Sequence, residues 1–206
     1  MSHLGTAHWR HILQNAWLHR GLLARLLWPV SWVYGWLVRR RQQEFQNGTR
    51  AVTRLAVPVL VVGNVVAGGT GKTPLVIALV RHGLQSGWKV GVISRGYGRT
   101  ASHVSARAVT PNSTAAEVGD EPLLIAHSTG APVWVGRDRV AVAQAMLAQH
   151  PDLHLIVSDD GLQHWALARD LELCVFDERG TGNGWLLPAG PLREPWPRAA
   201  SLAVPC

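Results

Sequence analysis

The sequence predicts an α/β fold: a parallel sheet covered by helices on both faces. Three observations carry this. Short β-branched runs recur through residues 57–176, each closed by Gly, Ser or Asp. Longer amphipathic stretches separate them, and strand–helix alternation of that kind builds a parallel sheet. The first such run leads straight into a glycine-rich turn, Gly68-Gly69-Thr70-Gly71-Lys72-Thr73, with a second apolar stretch after it.

In chain order, strands are expected at Val57–Val62, Lys89–Ser94, Pro132–Val135, His154–Ser158 and Glu172–Phe176. Helices are expected at Pro74–Gln85, Glu121–His127, Arg139–Gln149 and Gln163–Ala168. Pro74 in a first turn and Gly87 beyond a last turn fit helix start and stop chemistry. The ligand-bearing groups of such a sheet gather at the carboxyl ends of its strands. The Pro-rich tail, residues 191–206, shows no helix or strand period and reads as a connection.

The front end differs in kind. Five of the ten tryptophans (Trp9, Trp17, Trp28, Trp32, Trp36) precede residue 40. Arg25 is the only charge between Gly21 and Val38, and Arg39-Arg40-Arg41 follows at once. The uncharged stretch Leu26–Val38 is 13 residues, roughly 20 Å as a helix. That falls short of the roughly 30 Å hydrocarbon core. Trp and Arg flanking a short apolar face fit a helix lying in a membrane interface, with anionic phospholipid as partner. The competing reading is a core helix hairpin with its Trp residues packed inside. A secretory signal is the rival reading, but no small-residue cleavage site follows the apolar stretch and Trp-rich sequence continues past it. The organisation read is therefore a membrane-interface segment at 1–45, a nucleotide-binding lobe at 55–190 and a connection at 191–206.

The chain has 206 residues, 47% hydrophobic and 16% charged, and a formal charge of +7, which excludes a disordered chain and points to an anionic partner. Nucleic acid is not that partner, because the basic residues interleave with Trp in an apolar segment outside the α/β core. Cys174 and Cys206 offer no disulfide framework, so a reducing compartment is the default.

The glycine-rich turn reads as a phosphate-binding P-loop, Val66-Ala67-Gly68-Gly69-Thr70-Gly71-Lys72-Thr73. Glycines let backbone N–H groups curl around an anion, and the following helix adds its positive end. Lys72, one of only two lysines, reaches the β- and γ-phosphates of ATP, and the Thr73 hydroxyl binds Mg²⁺. The usual spacing asks for Gly six residues before the lysine, and Val66 stands there. Further on, "VSDDGLQH" ends a strand in Asp159 and Asp160, the metal-side acids of such a site. In "VGDEP", Asp120 and Glu121 either cap a helix or supply the general base that accepts a hydroxyl proton. In "VISRGYGRT", Ser94, Arg95 and Tyr97 follow the strand after the loop, and Arg95 and Arg99 suit phosphate or sugar contacts.

Taken together, "VPVLVVGNVVAGGTGKTPLV", "VGVISRGYGR", "VGDEP", "VSDDGLQH" and "GNGWLLPAGPLREP" resemble, in order and spacing, the tetraacyldisaccharide 4′-kinase family. The loop of that family also lacks the early glycine. The resemblance implies ATP- and Mg²⁺-dependent phosphorylation of the 4′-hydroxyl of a lipid disaccharide 1-phosphate, at the cytoplasmic face of the bacterial inner membrane. It implies Asp120 as catalytic base, with Lys72 and Thr73 on phosphate and metal. Asp159, Asp160, Glu121, Gln163 and His164 are placed on the metal side, and Arg95, Tyr97, Arg193 and Glu194 on the substrate. It also implies a second lobe after "PLREP" carrying a histidine partner for the aspartate. The alternative function is a membrane-associated P-loop ATPase switch without a lipid acceptor.

Overall fold

The computed structural model describes residues 17–68, 71–99 and 106–198, and the backbone of 201–205. Its elements are α1 (Leu22–Gln46), β1 (Val59–Gly63), α2 (Lys72–Gln85), β2 (Val90–Ser94), β3 (Arg107–Ala108), α3 (Ala115–Val118), α4 (Asp120–Thr129), β4 (Val133–Val135), α5 (Arg139–Gln149), β5 (Leu155–Asp159), β6 (Leu171–Phe176) and β7 (Ser201–Pro205).

The seven strands form one sheet in the order β3-β4-β2-β5-β1-β6-β7, parallel except for the β3–β4 pair. β1 therefore lies between β5 and β6, with Val62 in register with Asp159 on one side and Leu173 on the other. That register brings the carboxyl end of β5 beside the turn that leaves β1. Alternation along β1 sorts its side chains: Val59 and Val61 join the cluster under α5, Leu60 and Val62 the one under α2 and α4. All five β1 residues are buried, as expected of a strand covered on both faces.

Five strands and three helices stand within a few residues of expectation. Gln163–Ala168 does not form a helix. It runs as successive turns, with Arg169 donating to the carbonyls of Leu162, His164 and Leu167 and so taking up acceptors a helix would pair internally. The tail also departs from expectation, since β7 adds a parallel edge strand to β6 from Glu172↔Ser201 to Phe176↔Pro205. A five-residue run among prolines has too few alternations to register as a strand, and its pairing is supplied wholly by β6.

Helix α1 spans 25 residues, roughly 37 Å, and continues unbroken through the Arg39–Arg41 run. Pro29 lies inside it on the exposed side, where it has no N–H to offer the Arg25 carbonyl. The helix docks through small residues, Ala24, Ser31 and Gly35. Ser31 Oγ donates to Leu186 O and accepts from Ala189 N, both at 2.9 Å, and Tyr34 donates to Arg193 O at 2.8 Å. A Cβ on Gly35 would lie 2.6 Å from Leu186 Cδ1, so any larger residue there would require the leucine side chain to shift. The large apolar residues point the other way. Trp28, Trp32 and Trp36 are 50, 70 and 54% exposed, which rules out a hairpin with these tryptophans packed inside. No helix among the described residues is long and apolar enough to cross a membrane.

Candidate functional site

The loop after β1 explains its own unusual glycine spacing. At Val66 the chain is still extended, bridged antiparallel to Leu192, and the side chain is 2% exposed in the core. Ala67 donates its N–H to Pro191 O at 2.8 Å. A β-branched residue suits that geometry better than glycine would. Glycine is needed later, at Gly68 (φ 120°) and at Gly71 (φ 67°), which caps α2. Val66 and Ala67, expected to contact the nucleotide, pair with the 191–192 segment, and the expected phosphate turn continues from Gly68 to Thr73, of which Gly69 and Thr70 lie outside the described residues.

Lys72 is the first residue of α2. Its Nζ donates to Asn64 Oδ1 at 3.2 Å and lies 3.3 Å from Asp160 Oδ1. Asn64 is fully buried, and its Nδ2 reaches back to Val66 O (2.8 Å) and Gly68 O (3.3 Å). One amide therefore ties the lysine to the loop backbone. Asn64 was not singled out in the sequence, although an amide closing an all-apolar strand is an available signal. Gln163 braces it in turn, donating from Nε2 to Asn64 O at 3.2 Å and Glu194 Oε1 at 2.8 Å.

The two aspartates after β5 occupy opposite electrostatic settings. Asp159 is 1% exposed, and Ser94 donates to its Oδ2 at 2.9 Å while Oδ1 is buried without a partner. Burial pushes its carboxyl up to about 6; the Ser94 hydrogen bond opposes this, and the charges of Glu121 and Asp160 add to it. Asp160 takes a left-handed φ of 51°, which Asp tolerates, and so faces Lys72 and Arg193 (3.8 Å). Burial raises its pKa, but the Lys72 and Arg193 charges outweigh that and hold it below the usual range.

Arg139 closes this corner. It is 1% exposed and donates to Gly136 O (2.6 Å) and Asp159 O (3.1 Å). Burial lowers it to about 10, so it stays charged at neutral pH. A cation in the first turn of α5 opposes the helix dipole, and that anomaly was its signal in the sequence. His164 is lowered to about 4, first by burial and then by Arg139 and Arg95, and is neutral at pH 7.

A small hard cation fits the oxygen set here: the unpartnered Asp159 Oδ1, with the Thr73 hydroxyl at the start of α2. Among the described residues no three of His, Cys, Asp and Glu gather as a metal cluster. Of the other residues expected on the metal side, Asp160 faces Lys72 and Arg193, Gln163 braces Asn64, and Glu121 lies exposed at the start of α4.

On the far side of β5, Asp120 and Glu121 open α4, both exposed. Gly119, before them, has φ 93°, and a Cβ there would lie 2.8 Å from Tyr97 O. A Cβ on Gly96 would lie 2.8 Å from Val118 O. The two glycines let the Arg95–Arg99 turn and the first turn of α4 meet backbone to backbone. Arg95 and Tyr97 are exposed there. Glu194, expected on the substrate, is instead 1% exposed and buried under α1. It pairs with Arg198 at 2.7 Å and accepts from Gln42 and Gln163.

Comparison with known proteins agrees with this arrangement. The profile of the family LpxK, Tetraacyldisaccharide-1-P 4′-kinase, matches residues 23–204. A Tetraacyldisaccharide 4′-kinase of Acidovorax ebreus is 59% identical over 192 residues, covering 93% of this chain and 56% of that protein. One from Herminiimonas arsenicoxydans is 59% identical over 191 residues, covering 93% and 53%. The chain thus spans about half the length of the curated relatives it matches. Among solved structures, LpxK from Aquifex aeolicus in complex with ATP aligns with a TM-score of 0.75 and 32% identity, over 84% of this chain and 55% of that one. With a profile match running from α1 to β7, the chain belongs to the tetraacyldisaccharide-1-P 4′-kinase family.

Proposed function

We propose that this chain is the nucleotide-binding part of an ATP-dependent kinase that phosphorylates the 4′-hydroxyl of a tetraacyl disaccharide 1-phosphate in lipid A biosynthesis. The observation that carries the proposal is Lys72, held between Asn64 and Asp160 at the start of a helix whose neighbouring strand ends in a buried carboxylate. Lys72 and the N-terminus of α2 receive the ATP phosphates. Mg²⁺, held by Thr73 and Asp159, would neutralise charge developing on the β- and γ-phosphates. Asp120 takes the proton of the 4′-hydroxyl as its oxygen bonds to the γ-phosphorus and the bond to the ADP oxygen breaks. Arg95, Tyr97 and Arg193 contact the substrate.

The substrate is a lipid, so the site must meet a membrane, and α1 supports this. It presents Leu22, Leu26, Trp28, Trp32, Val33 and Trp36 outward, and Arg25 and Arg39–Arg41 are exposed on the same helix. Such a helix lies on an anionic surface with its apolar side in the interface. The location is the cytoplasmic face of the inner membrane, peripherally bound.

The test is phosphate transfer from labelled ATP to a tetraacyl disaccharide 1-phosphate in detergent micelles. It compares this chain, the chain extended by the remaining half of a relative, and the extended Asp120→Ala variant. Transfer by the extended chain, lost in the variant, supports the reading. Full transfer by the variant removes Asp120 as base, and ATP hydrolysis with no transfer by either chain favours an ATPase.

A further inference from the structure

The segment 191–194 lies between the turn that leaves β1 and helix α1, and it is hydrogen-bonded to both. On its inner side Ala67 donates to Pro191 O at 2.8 Å, Arg193 donates its N–H to Val65 O at 2.7 Å, and Val66 bridges Leu192. On its outer side α1 supplies two polar contacts. Tyr34 Oη donates to Arg193 O at 2.8 Å, and Gln42 Nε2 donates to Glu194 Oε2 at 3.1 Å. The other oxygen of that carboxylate accepts from Gln163 Nε2 at 2.8 Å, which also reaches Asn64 O at 3.2 Å. Asn64 in turn holds Lys72 Nζ at 3.2 Å. A chain of hydrogen bonds thus runs from the first helix to the lysine: Gln42, Glu194, Gln163, Asn64, Lys72. The Arg193 side chain, whose carbonyl Tyr34 holds, ends 3.8 Å from Asp160, the other partner of Lys72.

We propose that Tyr34 and Gln42 are positioning residues for the phosphate loop: by fixing the 191–194 segment they hold Lys72 and the Gly68 turn ready for a nucleotide. This rests on the kinase reading and adds to it a contribution of α1 to nucleotide binding. The segment is the antiparallel partner of Val66, so any shift in it carries the backbone that leads into Gly68. The Glu194 charge is already balanced by Arg198 at 2.7 Å, so burial of the carboxylate does not require Gln42. What the amide adds is direction, since a donor on Oε2 fixes how Oε1 faces Gln163. Hydrogen bonds to a buried carboxylate are among the stronger ones, which suits a relay that must hold its geometry. Burial pushes the Tyr34 hydroxyl up, with the Arg193 charge lowering it and the Glu194 charge raising it, so it remains a donor at neutral pH. The helix whose outer face is proposed to meet the membrane thereby reaches the nucleotide through its inner face.

The chain has two lysines, Lys72 in the loop and Lys89 at the opposite end of the sheet, before β2. Labelling with ¹⁵N-lysine therefore gives one backbone amide signal that reports the loop and one that serves as internal control. The signals, and the Kd of a non-hydrolysable ATP analogue with Mg²⁺, are compared in wild type, Tyr34→Phe, Gln42→Leu and Ser31→Ala. Ser31→Ala loses the α1 contacts to Leu186 and Ala189 and leaves those to 191–194 in place. In Tyr34→Phe and Gln42→Leu the nucleotide-free Lys72 signal is expected to move while Lys89 stays, and analogue affinity to fall about 3- to 10-fold, as for loss of one hydrogen bond. Ser31→Ala should leave both at wild-type values. Tyr34→Phe removes a single hydroxyl, so the test stands if Gln42→Leu fails to fold. An unmoved Lys72 signal or undiminished affinity in the folded variants would overturn the proposal. So would an equal change in Ser31→Ala, which would reduce the effect to loosened docking of the helix. Failure of the analogue to bind wild type would count against the kinase reading alone, and the Lys72 signal would still decide the positioning.

Discussion

Asn64 accepts a hydrogen bond from Lys72 at 3.2 Å through Oδ1, while its Nδ2 binds the carbonyls of Val66 and Gly68. Lys72, proposed to bind phosphate, is therefore preset by the residue that follows β1. Asn64→Ala removes the partner of the buried Val66 carbonyl and of the Gly68 carbonyl, and frees Lys72 toward Asp160. Such a loss costs about 1–3 kcal/mol, so the variant is expected to bind an ATP analogue at least ~10-fold more weakly. Calorimetric titration of both proteins checks this, and equal affinities would show that the lysine positions itself.

Asp159 supplies a pH prediction. Its carboxyl stands at about 6 in the folded chain against 3.8 ordinarily. The folded state thus holds the proton more tightly than the unfolded chain. Its contribution is most favourable near pH 4, declines as pH rises to about 6, and stays least favourable above. Asp159→Asn removes this titration, so nucleotide-free variant and wild type should differ in Tm at pH 8, with the variant higher, and converge near pH 4. Mg²⁺ at pH 8 should raise the wild-type Tm and leave the variant unmoved. A Tm difference independent of pH would place the charge elsewhere.

The Gly96–Gly119 contact packs the arginine turn against the residues before Asp120. Gly119→Ala puts a methyl 2.8 Å from Tyr97 O at φ 93°, a strain of about 1–3 kcal/mol. In the extended chain, phosphoryl transfer should fall by ~10-fold or more, while ATP-analogue affinity holds, since the phosphate loop lies two strands away. A parallel loss of nucleotide affinity would mean the two turns are not separable.

The exposed face of α1 predicts membrane binding without a stability role. Replacing Trp28, Trp32 and Trp36 with Ala should sharply reduce co-sedimentation with phosphatidylglycerol vesicles and shift Tm by only a degree or two, because surface substitutions fall within about 0.5 kcal/mol. Vesicle binding that survives the triple change would move the lipid contact off this helix.

Much of this was legible from residue order. Strand–helix alternation, the glycine-rich turn and the "SDDG" strand end are local patterns, and local patterns follow from backbone preference and side-chain period. The reading of Val66 shows where that stops. Its departure from the usual spacing made sense only once Leu192, more than a hundred residues away, was seen to pair with it. The contacts of Glu194 with Gln42 and Arg198, and of Gln163 with Asn64, are likewise decided by packing, which no local pattern encodes.

By itself, then, the sequence determined an α/β chain with a phosphate loop, a pair of strand-end carboxylates and a Trp- and Arg-rich front helix, because each is written in consecutive residues. Only the tertiary structure decided that Asp159 is the buried, unpaired acid and Asp160 the one held by Lys72 and Arg193. Only it showed that Arg99 is left without an acceptor beside Arg137. Those distinctions depend on desolvation and on charges brought together from different strands, and neither quantity exists until the chain has folded.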